Sequence, residues 1–252
     1  MKLGDFDVAR MGLGTNRLRR THENVAFIKA AFAAGVQMID TAYSYTGGES
    51  EATIGAALSP IPEGCIVATK GGGGGPGHGR PEALRVEIEE SLRRLGTDKI
   101  ALYYLHRVDP ETPLEESLAA IKEYYDAGRI GHVGLSEVTT DQIERARQVL
   151  PIAAVQNRYN LSERRSEAVV DYCAGEGLVF VPFFPLRGDG GGALTEIARR
   201  HRATLQQTML AWLLRRSPAM LPIPGTLSLA HLQENLAALD IELTDAEFET
   251  LR

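Results

Sequence analysis

Cysteine is scarce in this 252-residue chain, which carries two, Cys65 and Cys173. They form no Cys-x-x-Cys pair and no array with metal-ligand spacing. A disulfide framework and a bound metal are therefore not expected, and both thiols read as reduced core residues of a cytoplasmic protein. A basic block is missing too. Net charge is −6, and the arginine pairs at 19–20, 93–94, 164–165, 199–200 and 215–216 are scattered, as on solvated helix faces, so nucleic acid finds no footprint to grip. No apolar run nears the roughly 20 residues of a membrane helix, and Met1-Lys2-Leu3-Gly4-Asp5 lacks the apolar core of a signal peptide. Two glycine patterns are incomplete. Gly12-Leu13-Gly14 is followed by Thr15, Asn16 and Arg17 without the third glycine of a dinucleotide fingerprint. The Gly71–Gly75 run ends in Pro76-Gly77-His78-Gly79 without the Lys-Ser/Thr of a phosphate loop, and reads as a flexible loop over a site. What is left has 44% hydrophobic and 24% charged residues, enough to bury a sizeable core.

Short apolar runs alternate with helical patterns along the whole chain, which argues for βα units around a parallel sheet. Candidate strands are 10–14, 37–40, 66–70, 100–106, 132–136, 153–156, 179–183 and 220–223. A helix over 80–95 is signalled by Pro81 in its first turn, by Leu84, Ile88, Leu92 and Leu95 on one face, and by Gly96 as a stop. Thr112-Pro113-Leu114-Glu115 reads as a capping box opening a helix that ends at Gly128, and Thr244-Asp245-Ala246-Glu247 as a second such box. Two helices, 193–201 and 205–216, precede the last strand, and another covers 229–239. Eight strands with helices between them, and no linker or composition shift, predict a single-domain (β/α)8 barrel over residues 1–252.

If the runs are parallel barrel strands, their C-terminal ends share a rim. Val36-Gln37-Met38-Ile39 closes on Asp40, with Tyr45 five residues further on. Cys65-Ile66-Val67-Ala68-Thr69 closes on Lys70, and Ile100-Ala101-Leu102-Tyr103-Tyr104-Leu105 closes on His106. A carboxylate, a phenol, an ammonium and an imidazole meeting there form an acid–base constellation.

These segments resemble the aldo-keto reductase family. The likeness lies in Ile39-Asp40-Thr41-Ala42-Tyr43-Ser44-Tyr45 with Gly48-Glu49-Ser50-Glu51, in Ala68-Thr69-Lys70-Gly71-Gly72, and in Leu102-Tyr103-Tyr104-Leu105-His106-Arg107. It continues in family order through Gly134-Leu135-Ser136, Val155-Gln156-Asn157-Arg158-Tyr159-Asn160, Ile223-Pro224-Gly225-Thr226 and Glu234-Asn235. In texture the chain is similar to bacterial-type members, a group that includes pyridoxal reductases. The resemblance implies NADPH-dependent reduction of aldehydes, with ketones as further substrates. Tyr45 is then the general acid, Lys70 tunes it, Asp40 holds Lys70, and His106 hydrogen-bonds the carbonyl oxygen. Family spacing from the aspartate selects Tyr45 over Tyr43. For the cofactor it implies Ser136 and Gln156 on the carboxamide, Phe183 stacked on the nicotinamide, the run from Pro185 and Leu186 to Gly188 along the pyrophosphate, Gly225 and Thr226 toward the 2′-phosphate with Ile223 also at the cofactor, and Glu234 and Asn235 on the adenine.

The chain departs from the family in places. Glu137 stands where Asn is usual, Phe183 where Tyr is common, and His231 where many members use Arg on the 2′-phosphate, which leaves NADH possible beside NADPH. The 71–79 and 188–192 loops look short, and the sequence stops at Arg252 without the long C-terminal tail of many members. A shallow, open pocket for a small carbonyl substrate is expected, in a monomer or weak oligomer with no membrane partner. Two other readings share the barrel. One is a cofactor-sensing regulatory protein like the channel-associated β subunits. The other is an enzyme whose Lys70 forms a Schiff base.

Overall fold

The computed structural model describes residues 1–188 and 190–251; Asp189, in the 188–192 loop, and Arg252 lie outside the described residues. The chain opens with a small antiparallel hairpin, β1 (Lys2–Leu3) and β2 (Phe6–Asp7). Seven strands then pair in parallel and in sequence order: β3 (Leu13–Gly14), β4 (Met38–Asp40), β5 (Ile66–Gly71), β6 (Ile100–Leu105), β7 (Ile130–Ser136), β8 (Ala154–Gln156) and β9 (Val179–Phe180). Helices fill the crossovers: α1 (His22–Ala33), α2 (Glu49–Leu58), α3 (Pro81–Leu95), α4 (Leu114–Asp126), α5 (Thr140–Arg147) and α6 (Glu167–Glu176). After β9 come α7 (Gly191–His201), α8 (Leu205–Arg216), α9 (Leu229–Ala237) and α10 (Asp245–Thr250). This is the (β/α)8 architecture with one strand position filled irregularly. Among the described residues, no helix is long and apolar enough to cross a membrane.

The eighth expected strand, 220–223, does not form a ladder. The segment from Met220 to Gly225 closes the barrel through isolated bridges, Phe180 to Met220 on one side and Gly14 to Gly225 on the other. Gly12 N–H donates to Pro222 O (2.9 Å) and Leu221 N–H to Phe180 O (2.9 Å). Pro222 and Pro224 bring no N–H to return, so acceptors are met and regular strand geometry is not. Pro182 likewise ends β9 at Phe180, short of the expected Phe183, although Phe183 N–H still reaches Asn157 O (3.2 Å).

The strand period of two sorts side chains between two compartments. Met38, Ile66, Ala68, Leu102, Tyr104 and Ala154 point inward and pack together with Val179, Val181 and Leu221. Their neighbours Ile39, Val67, Tyr103, Leu105 and Val155 point outward against Ile28, Ile54, Leu84 and Ile88 of the helices. The hairpin, unforeseen in the sequence, lays Leu3 against the inner cluster, with Val8 just beyond it, and so plugs one end of the barrel.

Helix ends mostly follow their local signals. Gly96 sits at φ 62° after α3, where a side chain would be strained, and Thr244 forms the expected capping box. The box at Thr112 is a correction. Pro113 occupies the cap position, and the Thr112 hydroxyl donates to Asp109 Oδ2 (2.9 Å), because the buried carboxylate captures it first. Both thiols are free and buried, and burial pushes Cys65 up to about 11 and Cys173 to about 12.

Candidate active site

Strand register builds the site. Asp40 pairs with Ala68 across β4 and β5, Lys70 with Tyr104 across β5 and β6, and Ser136 with Gln156 across β7 and β8. Asp40 follows Met38, Lys70 follows Ala68, and His106 follows Tyr104, each on the inward face at the C-terminal end. The barrel interior therefore changes from apolar to ionic within one residue pair of the rim.

Lys70 is fully buried. Its Nζ donates to Asp40 Oδ1 (2.7 Å) and Thr41 O (2.7 Å), and lies 3.5 Å from the Tyr45 hydroxyl, at the outer edge of hydrogen-bond reach. Burial works against the ammonium, but Asp40 and Tyr45 outweigh it and raise its pKa, so the amine stays protonated. Gln156 Nε2 donates to Asp40 Oδ2 (2.8 Å), which occupies the second carboxylate oxygen. The Tyr45 and His106 rings meet edge to face with centroids 5.9 Å apart. Burial first, then the charges of Lys70 and Arg107, push His106 down to about 3, so its imidazole is neutral.

Tyr45 opens a tight turn, Tyr45–Gly48, in which Thr46 (φ 50°) and Gly47 (φ 67°) take left-handed angles before α2 begins. Ser50 on α2 bonds the Thr41 hydroxyl (2.7 Å) and the Thr15 hydroxyl (2.9 Å), while Thr15 Oγ1 donates to Asp40 O (2.7 Å). This buried hydroxyl chain fixes the loop that carries Tyr45. Tyr43 turns the other way. Its carbonyl accepts from Arg94 Nη1 (3.0 Å) and its ring lies under that guanidinium, against α3.

A cavity of about 800 Å³ opens above these groups. Asp40, Tyr45, His106, Ser136, Gln156, Phe183, Pro185, Leu186, Ile223, Gly225, Thr226 and His231 line it, with Lys70 behind Asp40. Glu137, Gly188, Glu234 and Asn235, also expected at the cofactor, do not line it. Glu137 takes φ 56° and aims its carboxylate at Arg158 N–H (2.7 Å), away from the cavity. The glycine loop stands beside the site, with Gly73 against the His106 ring, although no residue of 71–79 lines the cavity. It is pinned rather than flexible. Gly72 N–H donates to Glu87 Oε2 (2.7 Å), and Gly77 and Gly79 N–H both donate to Asp109 Oδ2 (2.9 Å each). Burial drives the Asp109 carboxyl up, yet these bonds with those from Glu111 and Thr112 outweigh it and hold the group at about 2.

The sequence profile of the aldo/keto reductase family matches residues 10–195 and 189–252. The chain belongs to the aldo/keto reductase family, a family of oxidoreductases. It is 34% identical over 273 residues to pyridoxine 4-dehydrogenase of Escherichia coli, which covers 99% of this chain and 96% of that protein. A thermostable aldo-keto reductase crystallised with the inhibitor epalrestat superposes with a TM-score of 0.91 at 33% identity, covering 100% of this chain and 97% of the other. An aldo/keto reductase from Klebsiella pneumoniae, in complex with NADP and acetate, gives 0.86 at 30%, covering 97% and 90%.

For this family member, sequence reasoning gave no role to Arg17, Arg107 and Arg158, which line the cavity together with Arg187 of the 185–188 run expected along the pyrophosphate. Each stands just beyond a barrel strand, and that position was the available signal.

Proposed function

We propose that the chain reduces aldehydes, and ketones more slowly, to alcohols with NADPH, and that Tyr45 donates the proton. The observation that carries this reading is the buried Lys70–Asp40 pair (2.7 Å) with Tyr45 at its exposed side and neutral His106 beside it, all opening on one cavity. The donor set suits a nicotinamide. Gln156 has its amide nitrogen committed to Asp40, which leaves Oε1 as an acceptor for a carboxamide, and Ser136 and Phe183 line the same wall. A hydride is what the dinucleotide supplies when bound.

The chain's own residues do the rest. As charge develops on the carbonyl oxygen, the Tyr45 hydroxyl gives up its proton to it, and Lys70 stabilises the phenolate left behind. Asp40 keeps Lys70 in place and charged. His106, neutral, donates one N–H to the same oxygen without competing as an acid. The geometry weighs against the Schiff-base alternative, because an ion-paired amine with no solvent exposure is a poor nucleophile. The NADP-bound Klebsiella relative supports the cofactor assignment. Against a panel of aldehydes, pyridoxal among them, Tyr45→Phe should lower kcat by roughly 10²–10⁴-fold while NADPH binding, followed by fluorescence titration, stays near that of the unsubstituted protein. Comparable turnover in the variant would sink the mechanism. A cofactor-sensing role would show instead as tight NADPH retention with negligible turnover of every aldehyde.

A further inference from the structure

We propose that the cavity mouth selects carbonyl substrates bearing an anion, a carboxylate or a phosphate, and that Arg107 and Arg158 receive it; this rests on the carbonyl reduction proposed above. Elsewhere on the surface most arginines are neutralised by carboxylates, among them Arg85 by Glu123, Arg129 by Glu89, Arg145 by Glu115 and Arg216 by Glu167 and Asp171. Among the described residues, the four arginines lining the cavity, Arg17, Arg107, Arg158 and Arg187, have no such partner. Among the described residues, the one acid on the lining is Asp40, already taken by Lys70 and Gln156. The acids nearest Arg158 are spent as well. Glu137 accepts its backbone N–H, and Glu163 is held at two points by Arg165 (2.8 and 2.9 Å). In a chain of net charge −6, this concentrates positive potential at one opening.

The four divide by position. Arg187 lies in the run assigned to the pyrophosphate, and Arg17 leaves β3 beside Gly225, so these two flank the cofactor's path. Arg107 and Arg158 flank the reacting end. Arg107 directly follows His106 and its Nη1 donates to Ser136 Oγ (3.0 Å). The two guanidinium carbons lie 5.9 and 5.7 Å from the Phe183 ring centroid, and Arg158 is 5.4 Å from that of Phe184. Aromatic faces position a guanidinium without neutralising it, so the N–H fork of Arg158 stays available for a carboxylate or phosphate, as do Nε and Nη2 of Arg107, whose Nη1 is held by Ser136 Oγ and His106 O. A substrate whose carbonyl sits on Tyr45 and His106 would extend its far end between these two forks.

The test compares kcat/KM with NADPH for 4-carboxybenzaldehyde against methyl 4-formylbenzoate, and for pyridoxal 5′-phosphate against pyridoxal. A preference for the anion of about tenfold or more in either pair is expected, and the pair that shows it names the anion. Arg107→Gln and Arg158→Gln should each pull that ratio toward one, mainly through KM, and added NaCl should erode it. Equal kcat/KM within both pairs, or a preference that survives both substitutions, overturns the proposal. If none of the four aldehydes is reduced, carbonyl reduction itself falls, and calorimetry with benzoate and the NADPH complex decides the anion site. Binding abolished by Arg158→Gln upholds the site, and no binding overturns it.

Discussion

The two ends of this barrel are built from the same strands and do opposite work. At the lower end, the β1–β2 hairpin closes the interior with Leu3, against Met38, Ile66 and Leu102. At the upper end, one step along the same inward faces, Asp40 and Lys70 are as thoroughly buried as any leucine, yet ionised and paired. The lower end gains from removing apolar area from water, which needs shape and no direction. The upper end keeps two charges out of water because they bond each other and further partners, Thr41 O for Lys70 Nζ and Gln156 Nε2 for Asp40 Oδ2. Change at the first end is felt in stability alone, and chemistry depends on geometry at the second.

The sharpest way to break this contrast is Lys70→Met. Losing the ammonium leaves Asp40 buried beside Gln156 alone, at a cost on the order of 3–5 kcal/mol read from urea denaturation, with turnover abolished. Asp40→Asn combined with Lys70→Met should recover most of the stability and none of the turnover. If the single variant were as stable as the parent, the ion pair would not be what organises the rim. At the lower end, Leu3→Ala should cost about 2–4 kcal/mol by the same measurement, with kcat/KM intact. A large loss of kcat/KM there would show the two ends to be coupled.

A pH titration separates them further. Between the ordinary histidine value near 6.5 and the folded value of about 3 for His106, the unfolded chain binds a proton that the folded chain refuses. Stability from this group is therefore complete above 6.5 and falls as pH drops, by roughly 2 kcal/mol at pH 5. His106→Gln should flatten that slope, which chemical denaturation at several pH values would reveal. Asp109 acts lower on the scale. Its carboxyl is held at about 2 against an ordinary 3.8, so its contribution holds above 3.8 and is lost as pH falls toward 2. Asp109→Asn should speed amide exchange at Gly77 and Gly79, the N–H groups it binds, and unchanged exchange there would refute the tether. The smallest effect belongs to the helix layer, where exposed Arg145→Ala, losing Glu115, should change stability by less than about 1 kcal/mol.

Much of the fold was legible because strand and helix periods are local. Alternation of apolar runs located β4 to β9, and Pro81 and Gly96 bracketed α3 almost to the residue. The closing segment was misread because its apolar pattern is that of a strand while Pro222 and Pro224 deny it a ladder, a conflict that only the neighbours' hydrogen bonds resolve. Thr112 failed as a cap for a similar reason, since a carboxylate three residues upstream competed for its hydroxyl. The hairpin was missed because two-residue strands carry no period to detect.

By itself, the sequence determined which residues stand at strand ends, because a period of two and a polar residue closing an apolar run are written along the chain. That sufficed to bring Asp40, Tyr45, Lys70 and His106 forward, and the family resemblance added Ser136, Gln156 and Phe183. Only the tertiary structure decided which charges are satisfied. Arg85 and Arg158 look alike in sequence, yet one meets Glu123 across two helices and the other faces a cavity stacked on Phe183 and Phe184. Pairing depends on distances between residues far apart along the chain, so the direction of Glu137, the pinning of the glycine loop and the unpaired arginines at the mouth exist only once the barrel has closed.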